Sequence, residues 1–232
     1  MNFLDLLRTD SGIVSVVGSG GKSTLVTELA RALPTTVIVA TTTHMLPPAN
    51  LPLLVDAEER EIAEGLMRHR ALCVGAWADE PGGKLCAPAL GFPNLSALAD
   101  HVLVEADGAR RMPLKAHAEY EPVIPADSAQ TIQLVGASGF GRPVGEVVHR
   151  AELFCKLVGC TTDDVCTPEL AAEAMAKEHA SGIVHADIVV VNQVDDEGAR
   201  ALAARFARAL RTHGDDVGVM AGSVRARRLE RL

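Results

Sequence analysis

The chain has 232 residues, 48% of them hydrophobic and 22% charged, with a formal net charge of −8. That balance is a globular one and excludes a disordered or coiled-coil chain. The negative charge gives no general attraction to nucleic acid or to an anionic membrane, so any anionic ligand must be held locally.

No run of about 18 apolar residues is present to span a bilayer. The opening MNFLDLLRTDSG has Asp5 inside its only apolar stretch, unlike a secretory signal. Cysteines at 73, 86, 155, 160 and 166 fit reduced thiols, and Cys155, Cys160 and Cys166 lack the close C-x-x-C spacing of a structural zinc site. A cytoplasmic protein is expected, with one α/β domain over 1–232.

Ile13 to Val17 is a β-branched apolar run, the pattern of a strand buried on both faces of a parallel sheet. Gly18-Ser19-Gly20-Gly21-Lys22-Ser23-Thr24 follows at once, and Leu25, Val26, Leu29, Ala30 and Leu33 then repeat at helical spacing up to Pro34. Strand, glycine loop and helix together predict a phosphate-binding loop. Backbone N–H groups at the helix start would wrap a β-phosphate, Lys22 would reach the β/γ oxygens, and Ser23 or Thr24, with Ser23 favoured by position, would ligate Mg²⁺. The loop is two residues shorter than the common form and resembles that of the Mur ligase and folylpolyglutamate synthetase class.

A second strand over Thr36 to Ala40 runs into Thr41-Thr42-Thr43, at the carboxyl edge where open α/β sheets bind ligands. Thr42 or Thr43 is a candidate for the metal or the γ-phosphate. After a strand over Ala71 to Ala76, the stretch 77–95 is rich in Pro and Gly and predicts an irregular surface excursion with a small hairpin around Lys84 to Ala87.

The strand His101 to Glu105 leads into Ala106-Asp107-Gly108. Glu105 or Asp107 would hold Mg²⁺ at the end of a neighbouring strand. Glu105 to Gly108 also reads E-x-x-G and resembles the switch of metallochaperone-type GTPases, in which the glycine N–H senses the γ-phosphate. Lys22, Glu105, Asp107 and Arg110 are the candidate catalytic residues. Arg110, Arg111 and Lys115 form a basic cluster able to clamp phosphates or a second anionic substrate. With His149 and Arg150, which follow the glycine-rich stretch Gly139 to Pro143, Arg111 and Lys115 make up the candidate substrate-binding set.

Further strands are expected over Thr131 to Val135, Asp187 to Asn192 and Asp216 to Met220, and helices over 168–180 and 197–213. Val224 to Leu232 reads as a short amphipathic helix. The sequence Asn192-Gln193-Val194-Asp195 resembles the N-K-x-D guanine-recognition element, with Gln193 in place of lysine and Asp195 as acceptor for guanine. Alternating strands and helices predict a three-layer P-loop NTPase-like fold, with a mostly parallel central sheet and helices on both faces.

Taken together, VVGSGGKSTL, VATTTHM, LVEADGARRMPLKA, EPVIP at 121–125, VHRAEL at 148–153 and VVNQVD make the chain similar to the YqeC-like family of selenium cofactor biosynthesis proteins, associated with selenium-dependent molybdenum hydroxylases. The resemblance runs over nearly the whole length. It departs at His117 and Tyr120, where the family usually reads proline and histidine, and at Ala151, where it tends to have proline. It implies an NTPase accessory factor using Mg²⁺ with ATP or GTP to mature such a hydroxylase or its cofactor, with a molybdenum hydroxylase or a cofactor-maturation protein as partner. The residues also admit an ATP-dependent kinase or ligase acting on a small anionic substrate. Neither the nucleotide base nor the oligomeric state is fixed by these motifs.

Overall fold

The computed structural model describes residues 3–79 and 82–232. A 3-10 turn at Phe3–Leu6 leads into β1 (Gly12–Gly18), the glycine loop, α1 (Lys22–Ala32), β2 (Val37–Thr41), β3 (Leu53–Val55), α2 (Glu59–Arg68) and β4 (Ala71–Trp77). Next come β5 (Leu85–Cys86), α3 (Phe92–Leu98), β6 (His101–Glu105), β7 (Leu114–Lys115), β8 (Ser128–Gly136), α4 (Val144–Val147), β9 (Val148–His149), α5 (Ala151–Val158) and α6 (Pro168–Ala180). The last elements are β10 (Ile188–Asn192), α7 (Glu197–Thr212), β11 (Gly218–Ser223) and β12 (Arg228–Arg231).

The described residues build one ten-stranded sheet in the order β12-β11-β10-β8-β1-β6-β2-β4-β3, with β5 paired to β4. All ladders are parallel except β12 on β11 and β5 on β4. Alternate side chains of the apolar strands serve opposite faces, as the pleat requires. Val14, Val16, Val37, Val39 and Val190 pack under Leu25, Val26 and Leu29 of α1. Ile13, Ile38, Val102 and Val104 meet Ile62 of α2 and Leu95 of α3 on the other side. Val189 and Val191 pack against α6 and α7 through Ala172, Met175, Phe206 and Leu210. The fold is therefore the three-layer α/β arrangement expected of a P-loop NTPase. No described helix is long and apolar enough to cross a membrane.

The region after β4 contributes β5, whose Cys86 and Leu85 pair antiparallel with Ala76 and Trp77, in line with the small hairpin expected around Lys84 to Ala87. The C-terminal segment departs from expectation. The expected helix over Val224 to Leu232 is instead a hairpin. A turn with Arg227 at φ 52 reverses the chain, and β12 returns along β11 with Leu229 paired to Gly222. Leu229 is buried between exposed Arg228 and Glu230, a period of two rather than 3.6. The charges read as the polar face of a helix are the outward residues of an edge strand, where charge also discourages further strand pairing.

Candidate functional site

Register brings the motif-bearing strand ends to one level. Val16 of β1 lies beside Glu105 of β6, Thr41 beside Glu105, Gly18 beside Leu134 of β8, and Asn192 of β10 beside Gly136. The glycine loop leaves the middle of this edge and is pressed against its neighbours. Gly20 has φ 84, and a Cβ there would stand 2.4 Å from the Gly136 nitrogen; Gly21 has φ 130, and a Cβ there would stand 2.4 Å from Asn192 Nδ2. Only glycine satisfies both the left-handed backbone and that approach.

The loop delivers the N-terminus of α1 without a cap. No side chain bonds to it, and no acidic residue occupies its first turn. By contrast, α6 is capped by Thr167 and α7 by Asp196. The first-turn N–H groups and the positive end of the α1 dipole are left for an external acceptor, the arrangement that holds phosphate.

Lys22 projects back over this loop. Its Nζ donates to the Gly18 carbonyl at 2.7 Å and lies 3.0 Å from Asp107 Oδ1, out of line for a hydrogen bond. Asp107 is buried, and its Oδ2 accepts from Gly18 N–H at 2.8 Å, Lys115 Nζ at 2.9 Å and His117 Nε2 at 2.9 Å. Burial opposes its ionisation, but Lys22, the His117 hydrogen bond and Lys115 outweigh burial and hold its pKa far below the ordinary carboxylate range. His117 in turn presents Nδ1 to Glu178 Oε2 at 2.8 Å, and its backbone N–H donates to Glu178 Oε1 at 2.7 Å. Burial alone would lower the His117 pKa. The hydrogen bonds to Asp107 and Glu178 reverse this and raise it, favouring the imidazolium form between two carboxylates.

Glu105 has the opposite environment. Burial raises its pKa; Lys22 and a hydrogen bond from Ser23 offset this in part, and Asp107 adds to it. Among the described residues its Oε1 has no hydrogen-bond partner, and neither have the buried hydroxyls of Thr42 and Thr43. Ser23, Thr43 and Glu105 line the same cleft.

That cleft measures about 980 Å³, at the top of the usual range for small-molecule sites. It brings together Gly20 to Thr24, Glu105, Gly108, Arg110, Arg111, His149 and Arg150. Other expected residues stand elsewhere. Gly18 and Ser19 support the loop from below: the Ser19 hydroxyl donates to the Met112 carbonyl, and its backbone N–H to the Leu134 carbonyl. Lys115 is turned away from the cleft, its Nζ shared among Asp107, the Gly108 carbonyl and Glu121, at 2.9, 2.7 and 2.8 Å. With three acceptors on its ammonium, no donor is left for a substrate. Asn192 spends its side chain on backbone, donating to the Gly20 carbonyl at 2.8 Å and accepting from Val224 N–H at 2.9 Å. Asp195 is exposed, one residue before the α7 cap.

Pairing of Lys115 with His149 through β7 and β9 places the VHRAEL segment against PLKA. There Arg150 bonds Glu121 at 2.5 Å and lies 5.4 Å from the Tyr120 ring. His149 is pushed down to about 4 by burial and by the charges of Arg150 and Lys115, with Glu121 opposing and Arg110 adding a smaller push. Glu121, Glu178 and Gln193 were not expected at the site. Gln193 lines the cleft with φ 64, while Glu178 sits 61 residues from its partner in an Ala-rich helix that carries no local sign of it.

The family model of the YqeC protein matches residues 14–152. The chain is similar to the uncharacterized protein YqeC of Escherichia coli (strain K12), 35% identical over 164 residues, which cover 65% of this chain and 62% of that protein. The chain thus spans less than two thirds of that relative's length. Among solved structures it is similar to the signal recognition particle 54 kDa protein of Aeropyrum pernix K1 in complex with GDP, at 15% identity and a TM-score of 0.39, over 97% of this chain and 45% of that one. The family match covers the glycine loop, the Glu105-to-Gly108 segment, the basic loop after it and the His149-Arg150 pair, and on that match the chain belongs to the YqeC family.

Proposed function

We propose that the protein binds a nucleoside triphosphate with Mg²⁺ and hydrolyses it. The observation that carries this reading is the uncapped start of α1, with Lys22 and Ser23 beside a buried Glu105 whose Oε1 has no partner among the described residues. Phosphate oxygens would take the free N–H groups and draw on Lys22. Mg²⁺ would be held by Ser23 and Glu105, with Thr43 or Thr42 as further hard oxygen donors and Asp107 behind Lys22. One carboxylate plus hydroxyls suits Mg²⁺, which is ordinarily completed by water and substrate phosphates rather than by an all-protein cage. Bound there, the metal would neutralise charge developing on the phosphates. Gly108, on the loop after β6, is proposed to face the γ-phosphate.

ATP and GTP both remain candidates. Asn192 supports the loop whichever base is bound, and Asp195 is the residue proposed to discriminate. The client, a selenium-dependent molybdenum hydroxylase or its cofactor-maturation protein, rests on the sequence resemblance alone. We propose that 1–232 acts as one domain in the cytoplasm; β1 and β12 share one sheet, and all five cysteines are free.

Thermal unfolding with and without Mg²⁺-nucleotide tests the reading. Ligand at 100 times its dissociation constant adds about 2.7 kcal/mol, a rise of roughly 5–11 °C for a chain of this size. Lys22→Ala should remove the rise. A variant stabilised as much as the wild type would sink the assignment.

A further inference from the structure

Six non-glycine residues among those described have a left-handed backbone, and four of them, Arg110, Arg111, Arg150 and Gln193, line the one cleft. Such a conformation costs an L-residue about 1–2 kcal/mol, and it persists where the surrounding structure imposes it, most often at binding sites. Arg110 and Arg111 take it consecutively, at φ 46 and 61, in a turn closed by Met112 N–H on the Ala109 carbonyl at 2.9 Å.

Lys84 and His44 line the cleft on the side of the Thr43-to-Leu46 segment; the cations around the basic loop differ in how they are matched. Lys22 is matched by Asp107, Lys115 by Asp107 and Glu121, and Arg150 by Glu121. Arg110 and Arg111 are exposed, and neither guanidinium has an ion pair or hydrogen bond among the described residues. His149, half-buried in the same wall, likewise has no hydrogen bond on its ring. Its depressed pKa leaves it neutral at pH 7, and the dominant charges acting on it are cationic. This corner is electropositive and its donors are unspent.

The geometry points to a second small-ligand site in this cleft, in which Arg110 and Arg111 grip an oxyanion, a phosphate ester or a carboxylate, while His149 donates a ring N–H to it. Guanidinium groups suit either oxyanion because their paired donors match two oxygens at once. Arg150 and Tyr120 form the wall behind it, held by Glu121, and Lys115 supports that wall from beneath. The inference builds on the nucleotide reading, since the second ligand would lie in the same cleft as the phosphate loop. It makes the protein a two-ligand device rather than a simple hydrolase.

Calorimetric titration of protein saturated with Mg²⁺ and a non-hydrolysable ATP or GTP analogue tests this, with inorganic phosphate in one arm and succinate in the other. One of the two should bind with unit stoichiometry, and the arm that binds identifies the oxyanion. Arg110→Asn and Arg111→Asn remove charge while keeping a residue that tolerates the left-handed backbone, and each should weaken that binding at least tenfold, with nucleotide saturation verified for each variant. No binding in either arm, equal binding by the variants, or an anion that nucleotide displaces would overturn the second site. If no nucleotide binds, the same anions are titrated into the nucleotide-free protein. Loss in Arg110→Asn with retention in Lys22→Ala then supports this site although the nucleotide reading has failed, and the reverse pattern overturns it.

Discussion

Removing the His117 ring is the most direct probe of the buried charges beneath the loop. In His117→Ala, Asp107 keeps Lys22, Lys115 and the Gly18 N–H. Glu178, 3% exposed, keeps among the described residues only the backbone N–H of residue 117. The loss therefore falls on Glu178, which becomes a buried carboxylate without its cation. Breaking a buried pair in this way costs about 3–5 kcal/mol, a fall in Tm of roughly 6–20 °C for this chain length. Because the folded pKa of His117 is raised above 6.5, its contribution is complete below about pH 6.5 and declines as pH rises through the folded value. Thermal unfolding followed by circular dichroism between pH 5.5 and 9 should show the widest gap between wild type and variant at the acid end. A gap below about 1 kcal/mol, or one that does not narrow toward pH 9, would refute the imidazolium bridge.

Gly20→Ala would place a Cβ 2.4 Å from the Gly136 nitrogen at φ 84; a loss of about 1–3 kcal/mol in urea unfolding is expected, together with loss of nucleotide stabilisation. Asn192→Ala strips donors and acceptors from Gly20 and Val224 and should cost about 1–3 kcal/mol, weakening ATP and GTP analogues by similar factors. Asp195→Asn should weaken only the guanine nucleotide, and equal effects on both in competition binding would remove Asp195 from base recognition. Glu105 has a folded pKa raised above 4.5, so protons should compete with Mg²⁺ as pH falls through that value. Mg²⁺-nucleotide affinity, measured by calorimetry between pH 5 and 8, should drop toward acid more steeply in the wild type than in Glu105→Gln, whose remaining slope comes from protonation of the nucleotide's own phosphate.

Local signals made the sheet and the loop legible. The β-branched runs at 13–17, 101–105 and 187–192 sit within a residue or two of β1, β6 and β10, because a doubly covered parallel strand demands an unbroken apolar run. The short glycine loop was readable because its requirement for positive φ is met residue by residue. Lys115 shows the limit of such reading. Beside Arg110 and Arg111 it looks like part of a basic surface loop, but the turn at Ala109 to Met112 and strand β7 bring it against Asp107 and Glu121, where it is buried. Glu178 reads as an ordinary helix glutamate, and only the packing of α6 against residue 117 reveals its use. At the C-terminal hairpin, the segment is too short for a helical period to be told from alternation.

Position 117 supplies Glu178 with two donors, a ring nitrogen and a backbone N–H. A relative carrying proline there, the residue the family pattern favours, has neither, since proline lacks the N–H as well as the ring nitrogen. An acid at the position of Glu178 would then be stranded in the interior. Acidity at 178 and histidine at 117 are accordingly expected to be inherited as a pair, and chains with proline at the first site should carry a neutral residue at the second.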